Sequence, residues 1–153
     1  MRNAYLFGQI ERVRTGIINK VSALPESKRD IVPDGFNNNI HWHLGHLLVI
    51  SDMLVLQYSG KDGVIPAEYR PYFASGTKPA DWQGEAPAWD TLISQLTEQI
   101  RVFQEQLGDD LNQPVAKADN FAKAETIDEL LVMNINHEAS HAGMINAMLK
   151  KLA

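Results

Sequence analysis

Apolar residues recur at helical spacing in four separate stretches of the chain. In the first, Leu6, Ile10, Val13, Ile17, Val21 and Leu24 follow one another at intervals of three and four, which stacks them on one face before Pro25 closes the helix. The second opens within Asn37-Asn38-Asn39, whose amides can cap free backbone N–H groups, and runs to about Ser59, where Gly60 ends it. Its buried side is Ile40, Leu44, Leu47, Ile50 or Ser51, and Leu54. The third runs from about Pro87, placed near a first turn, to Leu107, with Gly108 as its stop. Trp89, Leu92 or Ile93, Leu96, Ile100, Phe103 and Leu107 make its stripe. The fourth opens on Thr126-Ile127-Asp128-Glu129, a capping-box pattern. Its stripe reads Ile127, Leu130, Asn134, His137, His141, Met144 or Ile145, Met148 and Leu152. Four such helices predict an all-α fold, a four-helix bundle formed as a single domain over residues 1–153.

The connections refine that picture. Residues 60–87 hold Gly60, Gly63, Pro66, Pro71, Gly76, Pro79, Gly84 and Pro87 together with Tyr69, Tyr72, Phe73 and Trp82. A link rich in both turn formers and aromatics is expected to pack on the helices. It is long enough to return along the bundle and leave helices two and three parallel. Residues 109–125 are polar and weakly patterned, with room for a small turn or hairpin.

Composition narrows the chemistry. The chain has 153 residues and no cysteine, which excludes disulfides, thiolate metal sites, Fe–S clusters and a cysteine nucleophile together. A net charge of -5 argues against a phosphate-binding surface, so no nucleic-acid partner is expected. The N-terminus runs into charge before a signal sequence could form, and Leu47–Leu56 is too short and too polar to span a bilayer. A cytoplasmic protein with no membrane partner is the expectation.

The five histidines lie in two short stretches: His41, His43 and His46, then His137 and His141. His137 and His141 occupy positions that belong to the core, and His137-Glu138-Ala139-Ser140-His141 matches H-E-x-x-H. Residues four apart on a helix differ by about 40° and one turn, so the two imidazoles project side by side, as a divalent metal requires. A zinc protease of the usual kinds is disfavoured. The residues after His141 offer no His, Asp or Glu as third ligand, and Met144 and Ala147 stand where the extended motif needs Gly and His. The third ligand must then come from earlier in the chain. His43 and His46 are three apart and share a broad face of helix two, with spacing favouring His46 slightly. His41 points elsewhere and reads as a solvated or capping residue. His43 reads as a neighbour of the ligands or a pocket-lining residue.

These segments resemble a known family. Asn37-Asn38-Asn39-Ile40-His41-Trp42-His43-Leu44-Gly45-His46-Leu47 resembles the W-x-L-x-H segment of the DinB/YfiT-like superfamily, and His137-Glu138-Ala139-Ser140-His141-Ala142-Gly143-Met144-Ile145 its H-x-x-x-H-x-G-x-I segment. The link Tyr69-Arg70-Pro71-Tyr72-Phe73-Ala74-Ser75-Gly76-Thr77-Lys78-Pro79 resembles a stretch of bacillary members. The resemblance implies an up-down-down-up bundle, often a homodimer, whose metal is held by His46, His137 and His141. It also implies kinship with bacillithiol- and mycothiol-dependent S-transferases, a maleylpyruvate isomerase and part of a sulfoxide synthase.

Three neutral imidazoles leave a metal its full +2 charge and at least one open position, which lowers the pKa of a bound thiol or water. Because the chain lacks cysteine, a thiolate has to arrive as a cosubstrate. By the resemblance, the expected partners are a small-molecule electrophile and a low-molecular-weight thiol, and the expected cofactor is a divalent metal, zinc or nickel. Two alternatives stand beside a thiol transferase: a hydrolase using metal-bound water, and a non-catalytic metal or small-ligand binding protein. Glu138, about 100° around the helix from His137, is a candidate catalytic residue that could take a proton, orient an imidazole, or lie on the solvated face. Asn134, one turn before His137, could bond a ligand or substrate. Trp42, Tyr69, Tyr72, Phe73 and Trp82 are candidates to wall the site, and Asp52 and Asp128 read as surface or first-turn residues.

Overall fold

A computed structural model describes residues 2–153 as helices α1 (Arg2–Val21), α2 (Ile40–Ser51), α3 (Arg70–Phe73), α4 (Trp89–Leu107) and α5 (Ile127–Leu152). The helix starts follow local chemistry. Asn39 Oδ1 accepts the Trp42 backbone N–H at 2.7 Å, and the Thr126–Glu129 capping box forms at the start of α5. Two boundaries differ from the periodicity. Helix α1 ends at Val21, so Leu24 packs into the core from a turn. Helix α4 begins at Trp89 behind an Ala88 N-cap, which leaves Pro87 just outside it.

Side-chain bonds between helices fix their directions. Arg2 pairs with Asp128 near the starts of α1 and α5, Arg14 pairs with Glu138 halfway along, and Lys28 donates to the Leu152 carbonyl at the far end. These two helices are parallel. Asn3 bonds the Gly108 carbonyl and Arg14 the Leu96 carbonyl, so α4 opposes α1. His41 meets the Pro87 carbonyl and Gln99 donates to the Leu48 carbonyl, so α2 runs with α4. His43 meets His141 and Ser51 meets Glu138, so α2 opposes α5. The result is the up-down-down-up bundle, with the 60–87 link carrying the chain back between two parallel helices.

Helix α2 is the central element. Every residue from Ile40 to Ser51 is buried, not only the one side its spacing marks. The 60–87 link covers its outer face, anchored by the fully buried Phe73. After Ser51 the chain widens into a π-helical stretch over Asp52–Gln57. Asp52 is buried there, not on the surface. Its carboxylate accepts the Val64 and Ile65 backbone N–H groups at 2.7 and 3.2 Å and the Gln57 amide at 3.1 Å. Asp128 is a first-turn residue as expected, but it too is buried, beneath Arg2. In 109–125 the hairpin reduces to a single antiparallel bridge between Pro114 and Thr126.

Two large hydrophobic clusters fill the bundle, beside a smaller one of Leu54, Tyr58, Ala124 and Leu130. One holds Ile17, Leu44, Phe73, Leu92 and Met148; the other holds Leu6, Ile10, Val55, Phe103 and Leu131. Between them lies a polar layer of Arg14, Ser51, Gln99, Asn134 and Glu138, all buried. No helix among the described residues is long and apolar enough to cross a membrane.

Candidate metal centre

His46 and His141 are buried and His137 is half-buried, where α2 faces α5. One ring nitrogen from each lies within 4.8 Å of the other two. The antiparallel packing of α2 on α5 brings the pair four residues apart on α5 against His46 of α2.

The bonding around His46 shows which nitrogen is available. Its Nδ1 lies 2.7 Å from the Phe73 carbonyl, which only accepts, so the proton sits on Nδ1 and Nε2 carries a bare lone pair. That Nε2 faces His137 Nε2 at 3.2 Å, close to the roughly 3.3 Å separating two nitrogens held at about 2.0–2.1 Å on a tetrahedral ion. His137 Nδ1 is buried without a partner. Three uncharged donors converging across a helix interface, one with its tautomer fixed, fit a divalent metal ion.

The 60–87 link builds the back of this site. The Trp42 ring stacks on His46 with centroids 4.4 Å apart and planes at 14°, and its indole N–H donates to Thr77 Oγ1 at 2.9 Å. Phe73 lies directly over Gly45, where an added Cβ would come within 2.3 Å of the Phe73 ring. Glycine here lets Phe73 seat deeply enough for its carbonyl to reach His46. Gly45→Ala is therefore expected to cost about 1–3 kcal/mol, as overpacking does, and to weaken metal retention as the carbonyl shifts away. Urea denaturation with and without chelator checks both effects. Of the other aromatics, Tyr69, Tyr72 and Trp82 pack around Phe73, and Trp82 also meets His41 edge-on at 5.5 Å, away from the three converging histidines.

Burial disfavours the charged imidazole across the whole cluster. Desolvation lowers His46 and His43 to about 4, with further repulsion from neighbouring histidines, and lowers His141 to about 2 and His137 in the same direction. At neutral pH all four are uncharged, the form a metal requires. The unfolded chain takes up protons at these histidines near pH 6.5, before the folded one does. Their contribution to stability is thus full above about 6.5 and lost as pH falls through about 4. Metal-free protein should lose thermal stability already between pH 6.5 and 5, above the carboxylate range; a melting temperature flat across that window would contradict the burial argument.

The remaining candidates take other positions. His43 Nδ1 lies 2.8 Å from His141 Nδ1, in contact with a ligand candidate but outside the three-nitrogen group. His41 points away from the cluster but is buried, not solvated; its ring bridges Asp30 Oδ1 and the Pro87 carbonyl, each at 2.7 Å. Glu138 is not on a solvated face. It is fully buried and its oxygens bond Arg14, Ser51 and Asn134 rather than any imidazole. Asn134 donates to Glu138 at 2.9 Å and so belongs to the polar layer. Ile145 takes the buried stripe position and Met144 is exposed. Neither Arg14 nor the Phe73 carbonyl is marked by a motif in the sequence. Arg14 had a signal, standing between Ile10 and Ile17 on the apolar stripe of α1.

The DinB superfamily model matches residues 9–145. The chain belongs to the DinB superfamily. A crystal structure of a conserved protein from Enterococcus faecalis is similar to this superfamily member with a TM-score of 0.70 at 12% identity, covering 97% of this chain and 95% of that one. At that identity the likeness is one of fold. No match is found among curated proteins.

Proposed function

We propose that this DinB-superfamily protein is a metal-dependent enzyme that transfers a low-molecular-weight thiol to an electrophilic small molecule. The observation that carries the reading is the convergence of His46, His137 and His141 without an anionic or cysteine ligand. His46, His137 and His141 would hold a divalent ion, which would supply Lewis acidity to lower the pKa of a thiol or water bound there. The chain's own residues prepare that position. The Phe73 carbonyl holds His46 in the right tautomer, Trp42 shields one face of its ring, and the Arg14 cation neutralises Glu138, the carboxylate next to His137 in the chain. With no cysteine in the chain, a sulfur nucleophile must be supplied by the cosubstrate.

The test offers zinc- or nickel-loaded protein several bacterial thiols together with monochlorobimane or an epoxide. Thiol-dependent adduct formation above background, abolished by chelator, is expected. Absence of any adduct, with ester or amide turnover instead, would establish the hydrolase. Stoichiometric metal without either turnover would leave a binding protein.

A further inference from the structure

We infer that His43 is a positioning residue: it accepts a hydrogen bond from His141 Nδ1–H and so presents the bare Nε2 of His141 to the metal centre. The inference rests on the three-histidine reading of the site. His43 Nδ1 lies 2.8 Å from His141 Nδ1, a distance that requires one proton between them. A neutral imidazole has one N–H and one lone pair. With Nδ1 of His141 engaged by His43, its other nitrogen, Nε2, is the one left for His46 and His137. That nitrogen can ligate only if the ring proton is on Nδ1, which makes His141 the donor and His43 the acceptor.

The surroundings hold His43 to this task. It is buried on α2 one turn before His46, with the Trp42 ring packed edge-on at 5.2 Å. The contact therefore parallels the one on His46, where the Phe73 carbonyl takes the Nδ1 proton. Two of the three ligand candidates thus have their tautomers set by uncharged acceptors, one a backbone carbonyl and one an imidazole. Metal-bound histidines are oriented in this way by the partner of their second nitrogen.

Asparagine places its Oδ1 where histidine has Nδ1, whereas leucine has a similar shape and no acceptor. Zinc affinity, measured against a competing chelator, should fall roughly 10–100-fold in His43→Leu and stay within about threefold of the parent in His43→Asn. Ring-nitrogen NMR of the metal-free parent protein should show His141 protonated at Nδ1 and bare at Nε2, a reading that needs no variant to fold. His141 protonated at Nε2 in that spectrum, or equal zinc affinity in the leucine and asparagine variants, overturns the inference. A parent protein that takes up no zinc refutes the metal centre itself, while the spectrum still decides what His43 does.

Discussion

Replacing His141 or His46 with alanine is expected to strip the metal from purified, untagged protein while the helices remain folded. Each substitution leaves two nitrogen donors, and two do not hold a divalent ion against solvent and buffer. The loss should exceed the roughly 10–100-fold that removing an outer partner of a ligand costs, so affinity should fall by more than about 100-fold. Elemental analysis of protein prepared without an affinity tag, followed by chelator competition, measures it. His41→Ala is the matched control, since that ring bridges Asp30 and the Pro87 carbonyl and contributes nothing to the three-nitrogen group. Stoichiometric metal in both His46→Ala and His141→Ala would remove the site. Retention in His41→Ala beside loss in the other two would tie the metal to the α2–α5 interface alone.

Much of this arrangement is legible in the sequence because it depends on short-range spacing. His137 and His141 standing on an apolar stripe is a local fact, and the Asn39 and Thr126 caps follow from neighbouring residues. The choice between His43 and His46 is not local. Both share a broad face of α2, and only the antiparallel packing on α5 separates a ligand candidate from the residue that touches His141. Glu138 shows the same limit more sharply. A carboxylate about 100° away from a ligand reads as catalytic or solvated until an arginine 124 positions earlier in the chain is seen to pair with it. Asp52 looks exposed for an equivalent reason, since its partners are backbone N–H groups at Val64 and Ile65. Periodicity also understates α2, because burial of a helix on every side is decided by the link that covers it.

Breaking the Arg14–Glu138 pair should cost as much stability as truncating a large side chain in the core. Both side chains are fully buried, and the contact is bidentate: Nη2 to Oε1 at 2.5 Å and Nε to Oε2 at 3.0 Å. Arg14 Nη1 also reaches the Leu96 carbonyl at 2.8 Å and Gln99 Oε1 at 3.1 Å, while Ser51 and Asn134 bond Glu138. All four long helices contribute to one layer. Arg14→Met leaves a buried carboxylate without its cation, which should cost about 3–5 kcal/mol, a shift on the order of 10 °C in melting temperature. Glu138→Met strands the guanidinium with a comparable cost. The double variant should lose less than the sum of the two, because neither charge is then left alone. It should still fall short of the parent, since Gln99, Ser51 and Asn134 lose partners with no water to replace them. Urea denaturation at pH 7 gives all three values. A single-variant cost below about 1 kcal/mol would mean that water reaches the layer and that the pair is not sealed from solvent. The metal centre shares the outcome: Glu138 lies between His137 and His141 on α5, so loosening its hold on α1 also loosens the two imidazoles that flank it.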